Sequence, residues 1–139
     1  MTTSNYKSIA ANIKFEGRAF INGKYVDALS GEKFETINPA TGEVLCSVAK
    51  CNGKDVDLAV EVSRKAFNSG VWSRSSPESR KDILLKFADL LRKHGEENSV
   101  LECIDTGKLI GDCINEVAND APMHFQWYGE LIDKVFGKV

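Results

Sequence analysis

Phe34-Glu35-Thr36-Ile37-Asn38-Pro39-Ala40-Thr41-Gly42-Glu43 runs as a strand into a turn. Phe34, Thr36 and Ile37 are aromatic or β-branched, the residue types that suit a half-buried strand. Asn38-Pro39 stops the strand, because proline has no N–H for a ladder and fixes its own φ. Thr41-Gly42 turns the chain, since glycine tolerates positive φ. Val44, Leu45, Cys46 and Val48 supply the returning strand. The local physics is two strands joined by a Pro/Gly loop, and it names no reaction.

Outward toward the N-terminus, Phe20-Ile21 and Lys24-Tyr25-Val26 flank Asn22-Gly23, the favoured two-residue hairpin turn. Ser30-Gly31-Glu32 makes the next turn. Residues 20–50 therefore read as short strands in hairpins. Residues 1–19 read as an N-terminal arm, frayed or docked. Met1 to Lys14 is rich in Ser, Asn and Lys and has no apolar stretch of the kind a signal peptide needs.

Toward the C-terminus the period changes to that of helices, over residues 55–136. Asn52 or Asp55 can cap the first; Val56, Ala59, Val60 and Phe67 share a face, and Asn68-Ser69-Gly70 ends it. Val71-Trp72 is expected to pack an aromatic under the connection. Ser76-Pro77-Glu78 opens the next helix, with Ser as N-cap, Pro at the first position and an acid in the first turn. Its apolar face is Ile83, Leu84, Phe87, Leu90 and Leu91, and Gly95 ends it. A third helix spans about Glu96 to Thr106, with Gly107 as its stop. From Ile110 the pattern is helical again. Pro122 cannot sit deep in a straight helix, and Asn119-Asp120 is a ready cap. A break near Val117 is expected there in preference to a kink. Phe125, Tyr128, Ile132, Val135 and Phe136 form the last face, closed by Gly137. The fold class is α+β as isolated, hairpins first and about four helices after.

The chain has 139 residues, the size of one domain. A net charge of −2 gives no electrostatic reason to bind nucleic acid or an anionic membrane. No apolar run approaches the roughly 20 residues needed to span a bilayer. Cys46, Cys51, Cys103 and Cys113 form no Cys-x-x-Cys pair, so neither a zinc site nor a disulfide framework is expected. Small buried hydrophobes are the expected role.

The search for catalytic chemistry returns little. There is no Gly-x-Gly-x-x-Gly, no phosphate-binding Gly-x4-Gly-Lys, no His-Glu-x-x-His and no Gly-x-Ser-x-Gly. His94 reads as an exposed helix end and His124 as a helix-surface residue. Glu116 and Asp120, at i and i+4, could share a helix face; a solvated face is the reading favoured for them. Asp105 stands at a helix C-terminus, where a carboxylate meets the negative end of the dipole. Lys108 could compensate it, and so could a bound cation, since carboxylate and carbonyl oxygens are hard-cation ligands. From the residues alone, the lysine is favoured.

In order, Phe20-Ile21-Asn22-Gly23, Thr36 to Glu43, Asp55-Val56-Asp57-Leu58-Ala59, Glu78-Ser79-Arg80, Asp105-Thr106-Gly107-Lys108, Trp127-Tyr128 and Lys134-Val135-Phe136-Gly137 form an ordered set. With this set the chain resembles the N-terminal segment of the aldehyde dehydrogenase superfamily from about Phe20 onward. It looks most like the branch of γ-glutamyl-γ-aminobutyraldehyde and betaine aldehyde dehydrogenases. The resemblance implies the N-terminal part of the α/β aldehyde dehydrogenase fold. It also implies a longer enzyme that oxidises aldehydes, an aminoaldehyde among them, to acids with NAD or NADP. In that family a cysteine attacks the carbonyl, an asparagine helps form the oxyanion hole and a glutamate activates water.

The family motifs bearing those residues, and those that hold the cofactor ribose, lie beyond Val139. None of the four cysteines matches the nucleophile. The resemblance therefore implies no catalytic and no cofactor-binding residue in this chain, and no cofactor bound to this chain alone. It implies a cytoplasmic protein, a homo-oligomer, with the remaining dehydrogenase segment as partner and neither nucleic acid nor membrane. A stand-alone, non-catalytic binding or assembly module is the alternative. By position, Thr36 and Ile37, through their carbonyls, and Asp105 match a monovalent-cation site, for K⁺ or Na⁺. This match raises the cation reading of Asp105 above the lysine reading in the complete enzyme. Asp120 matches a tunnel-mouth acid that receives a substrate's amino group, with Glu116 one turn earlier.

Overall fold

Asn38 organises the turn that follows the strand Lys33–Ile37. Its side-chain oxygen accepts the Ala40 N–H at 2.9 Å, and its carbonyl accepts the Gly42 N–H at 2.8 Å. Its own N–H donates to the Glu43 carbonyl at 2.9 Å. Gly42 takes φ 74°, a left-handed conformation that costs glycine nothing. The computed structural model containing this turn describes residues 3–136.

In chain order the elements are α1 (Thr3–Asn12), β1 (Ala19–Ile21), β2 (Lys24–Val26), β3 (Lys33–Ile37), β4 (Val44–Ala49), α2 (Gly53–Ser69), α3 (Pro77–Lys93), α4 (Gly95–Thr106) and α5 (Ile110–Cys113). A π-helical segment, Ile114–Asp120, follows without a break and leads into α6, Ala121–Leu131. Both sheets are two-stranded and antiparallel, β1 with β2 and β3 with β4. From β1 onward this is the expected α+β order, hairpins first and helices after. The chain divides into two compact units, one of residues 14–74 and one of residues 1–13 with 75–139.

In the strand-bearing unit, β1 and β2 meet through Ile21↔Lys24 across Asn22-Gly23. The β3–β4 ladder is regular from Lys33↔Ala49 to Thr36↔Cys46, then shifts to Ile37↔Val44. Leu45 is the extra residue of that bulge, which locally disrupts the ladder. Gly17 runs tightly beside β4: its carbonyl accepts the Ala49 N–H at 2.7 Å, and an added Cβ would sit 2.1 Å from the Ser47 oxygen. Asn52 caps α2 and Asp55 completes a reciprocal capping box. Gly70, at φ 82°, ends α2, and the Arg74 guanidinium donates to the Asn68 and Ser69 carbonyls there. Val71 and Trp72 were expected beneath this connection; they are instead 76% and 43% exposed. The Ser73 hydroxyl and the Arg74 guanidinium close this connection by hydrogen bonds to carbonyls at the end of α2.

In the helical unit, α3 packs on α6. Phe87 meets Phe125 edge to face at 4.6 Å, and Gly129 brings the α6 backbone against Leu84 and Leu85. Ser76 caps α3, accepting the Ser79 N–H, with Pro77 in the first turn. Of the expected α3 face, Leu84 and Leu91 are half-buried beside buried Ala88, whereas Ile83, Phe87 and Leu90 are exposed. The apolar arc is wider than α6 can cover.

The N-terminal arm, expected frayed or docked, contains the helix α1, Thr3–Asn12, packed on α4. The expected break near Val117, with Asn119-Asp120 as the cap of a new helix, does not occur. Asp120 has helical angles, φ −74° and ψ −43°, and makes no side-chain cap bond. The chain stays helical by widening, with the Ala121 N–H donating to the Glu116 carbonyl five residues back. In an α-helix the Pro122 ring would collide with the carbonyl four residues earlier; the π turn relieves that conflict without ending the helix. The last helix ends at Leu131, short of Val135 and Phe136, which are 72% and 86% exposed. Gly137 lies outside the described residues.

Candidate functional site

Thr36 and Ile37 lie at the β3–β4 bulge, Thr36 half-buried and Ile37 exposed. Asp105 belongs to the other unit, exposed in the last turn of α4 before Gly107 at φ 77°. The oxygen donors of these three residues suit a hard cation in kind. Among the described residues, no three His, Cys, Asp or Glu side chains come together in a group that could hold a metal ion.

Lys108, which follows Gly107, has its ammonium 2.6 Å from Glu116 Oε2 and 3.3 Å from Glu102 Oε1. The hydrogen bonds that the ammonium donates to Glu116 and then Glu102 hold the lysine pKa up. Lys108 thus ties α4 to the π segment and sets a positive charge against Glu116. Sequence reading missed Glu102 as the second acid; it lies six residues before Lys108, across the helix end, where no local spacing rule pairs them.

Asp120 is exposed at the end of the π segment. Its main-chain carbonyl lies 2.7 Å from His124 Nδ1, a contact made by the backbone, so the carboxylate is not the group engaged. Beneath, Ser99 is fully buried; its hydroxyl lies 2.7 Å from the Gly95 carbonyl and 3.2 Å from the Cys113 carbonyl. Gly95 permits the crossing: an added Cβ would lie 2.8 Å from Ala118 Cβ. Gly95 and Ser99, four residues apart, were legible as one helix face but not as the support of the segment carrying Glu116 and Asp120. Burial pushes the Cys113 thiol up, which suits its expected role as a small hydrophobe. Cys51, by contrast, is exposed.

In the strand-bearing unit the residue sequence reading undervalued is Asp55. It is 3% exposed, and its two oxygens accept the Asn52 and Leu29 N–H groups at 2.8 Å each. Those two hydrogen bonds, Asn52 first, hold its carboxyl below the usual range. The capping-box spacing could have revealed the Asn52 contact; the Leu29 contact is long-range and leaves no sequence signal. A pocket of about 260 Å³ lies alongside, lined by Ile21, Lys24, Asp27, Leu29 and Leu58.

The doubly wound mode of dinucleotide binding uses a parallel strand–helix unit with the pyrophosphate on a helix N-terminus. The sheets among the described residues are antiparallel hairpins, so the residues present do not fit that mode. What the arrangement defines is a supporting segment with acids on one helix.

The aldehyde dehydrogenase family profile matches residues 25–139, and the chain belongs to that family. Over 104 residues it is 56% identical to aldehyde dehydrogenase 1 of Tanacetum cinerariifolium, covering 75% of this chain and 21% of that protein. It is 42% identical over 130 residues to the NADP/NAD-dependent aldehyde dehydrogenase PuuC of Escherichia coli strain K12, covering 94% of this chain and 26% of that one. The crystal structure of γ-glutamyl-γ-aminobutyraldehyde dehydrogenase from Burkholderia cenocepacia superposes on all of this chain and 28% of its own, with TM-score 0.96 and 42% identity. The chain therefore spans about a quarter of the length of these relatives.

Proposed function

We propose that this chain is the N-terminal portion of an NAD(P)-dependent aldehyde dehydrogenase that oxidises an aldehyde of the aminoaldehyde class to the acid, and that it is inactive alone. The observation that carries this reading is the superposition of the whole chain on one quarter of such an enzyme. The relatives' names supply the cofactor and substrate class. The remaining dehydrogenase segment is the partner, and the complete protein is a cytoplasmic homo-oligomer. The free cysteines suit a reducing compartment. The test is aldehyde-dependent NAD⁺ or NADP⁺ reduction by the chain alone and with that segment. Turnover by the chain alone overturns the reading; failure of the two pieces to bind favours a separate assembly module.

Within the complete enzyme, Asp105 and the Thr36 and Ile37 carbonyls bind K⁺ or Na⁺; Asp105→Ala abolishes any potassium dependence of stability, and dependence that persists refutes the assignment. Asp120 meets the substrate's amino group. Because Lys108 sets its charge against Glu116, Asp120 carries most of the attraction. Asp120→Asn raises KM for an aminoaldehyde by an amount that shrinks with salt, and leaves KM for a neutral aldehyde of equal length unchanged. Equal effects on both substrates refute the role.

A further inference from the structure

We propose that Asn22-Gly23, at the tip of the β1–β2 hairpin, is a site of spontaneous deamidation and isoaspartate formation, and that the chain's second Asn-Gly pair, Asn52-Gly53, is protected by its helix cap. In this reaction the main-chain nitrogen of the glycine attacks the asparagine Cγ. The new N–C bond closes a five-membered succinimide, and the side-chain nitrogen leaves as ammonia with the proton the glycine nitrogen gives up. Water then opens the ring at either carbonyl, giving aspartate or isoaspartate. Water is the sole co-reactant and nothing is oxidised. A following glycine favours the attack because no Cβ shields its nitrogen.

The two sites share a dipeptide but not a geometry. Asn22 is exposed at φ 54°, and among the described residues it is the non-glycine residue with positive φ. Positive φ at both Asn22 and Gly23 is the geometry of the two-residue turn that Asn-Gly favours, and it sets the Asn22 side chain at the exposed tip of the hairpin. No hydrogen bond from the described residues holds the Asn22 amide. A Cβ added at Gly23 would meet nothing within 4 Å, so the attacking nitrogen is open to approach. The flanking strands are three residues each, so few ladder hydrogen bonds hold the turn.

Asn52 is held at both ends. Its side-chain oxygen accepts the Lys54 N–H at 2.9 Å and its N–H donates to Asp55 at 2.8 Å. Asp55 is in turn fixed by Leu29. Turning the Asn52 side chain onto the Gly53 nitrogen breaks the cap. A cap is worth about 1 kcal/mol, which corresponds to about a fivefold slowing.

The product matters more at Asn22 than its added charge suggests. Isoaspartate inserts a methylene into the main chain, and a two-residue turn cannot absorb it while Ile21 stays opposite Lys24. The isoaspartyl carboxylate is also the group to which an isoaspartyl-repair methyltransferase adds a methyl from S-adenosylmethionine.

The experiment incubates the chain at mildly alkaline pH, with helical circular dichroism monitored, and maps modified peptides over time beside a urea-unfolded control. Isoaspartate is read by methyl transfer. The expected result is conversion at Asn22 about fivefold or more faster than at Asn52 in the folded chain, converging in urea. An Asn52→Asp variant keeps a cap and keeps the Asn22 time course. Equal or faster conversion at Asn52 in the folded chain overturns the proposal. So does loss of the signal in Asn52→Asp, or no conversion at Asn22 while the unfolded control is consumed.

Discussion

Asp55 shows how much a single carboxylate can organise. It closes the cap of α2 and fixes Leu29, at the end of the segment after β2. Because its folded pKa lies below the unfolded value, its contribution to stability is full above the unfolded pKa of about 3.9 and is lost as pH falls through the folded one. In an acid titration followed by tyrosine fluorescence, the transition of the strand-bearing unit is therefore expected to shift to higher pH in Asp55→Asn and to lose steepness. An unchanged titration would mean the carboxylate is not coupled to folding. Asp55 was readable as a capping residue, because the spacing from Asn52 is a local signal. Its second role was not, since the Leu29 contact spans 26 residues. Thr36 and Ile37 came from resemblance alone; Asp105, Glu116 and Asp120 were already marked by their helix positions, and the resemblance supplied their roles. What the structure adds is the Lys108 contact that changes the weight given to Glu116.

At the scale of elements, the caps were the legible part. Asn52, Ser76, Gly70 and Gly107 start and stop helices where the residue types say they should. The helix α1 was missed because Thr3–Asn12 has a weak apolar stripe and is supported by packing on α4. The π segment was missed for a different reason. Pro122 announces a conflict with an α-helix but does not say whether the chain will break, kink or widen. The choice is made by packing: Gly95 lets Ala118 approach, and the Ser99 hydroxyl reaches the Cys113 carbonyl where the π segment begins. Removing that hydroxyl leaves a buried carbonyl without its side-chain donor. Ser99→Ala is expected to cost about 1–3 kcal/mol in chemical denaturation, and Ser99→Thr to overpack the same crossing. A cost below about 0.5 kcal/mol for the alanine would show that the hydroxyl is not what holds the segment.

Across the whole molecule, the buried hydrophobic residues among those described are small: Ala28, Ala49, Ala88, Val100 and Cys113. The large ones stay partly in water, among them Val56, Val60 and Phe67 along α2 and Ile83 and Leu90 along α3. Exposed apolar stripes of this kind mark surfaces that another body covers. Self-association of the isolated chain is the expected outcome. In sedimentation, a Val60→Ser/Phe67→Ser variant is expected to shift toward monomer, while a strictly monomeric parent chain would remove the premise. None of this was hidden in the sequence, which shows the α2 stripe plainly; what periodicity cannot tell is whether a stripe faces its own chain or another. The small buried set has a thermal consequence as well. Unfolding hydrates little apolar surface that was not already wet, so the heat-capacity increment is modest and the stability curve is shallow. Such a chain changes little in stability between cold and warm solution, and its sharp melting appears only after a partner has dried the faces of α2 and α3.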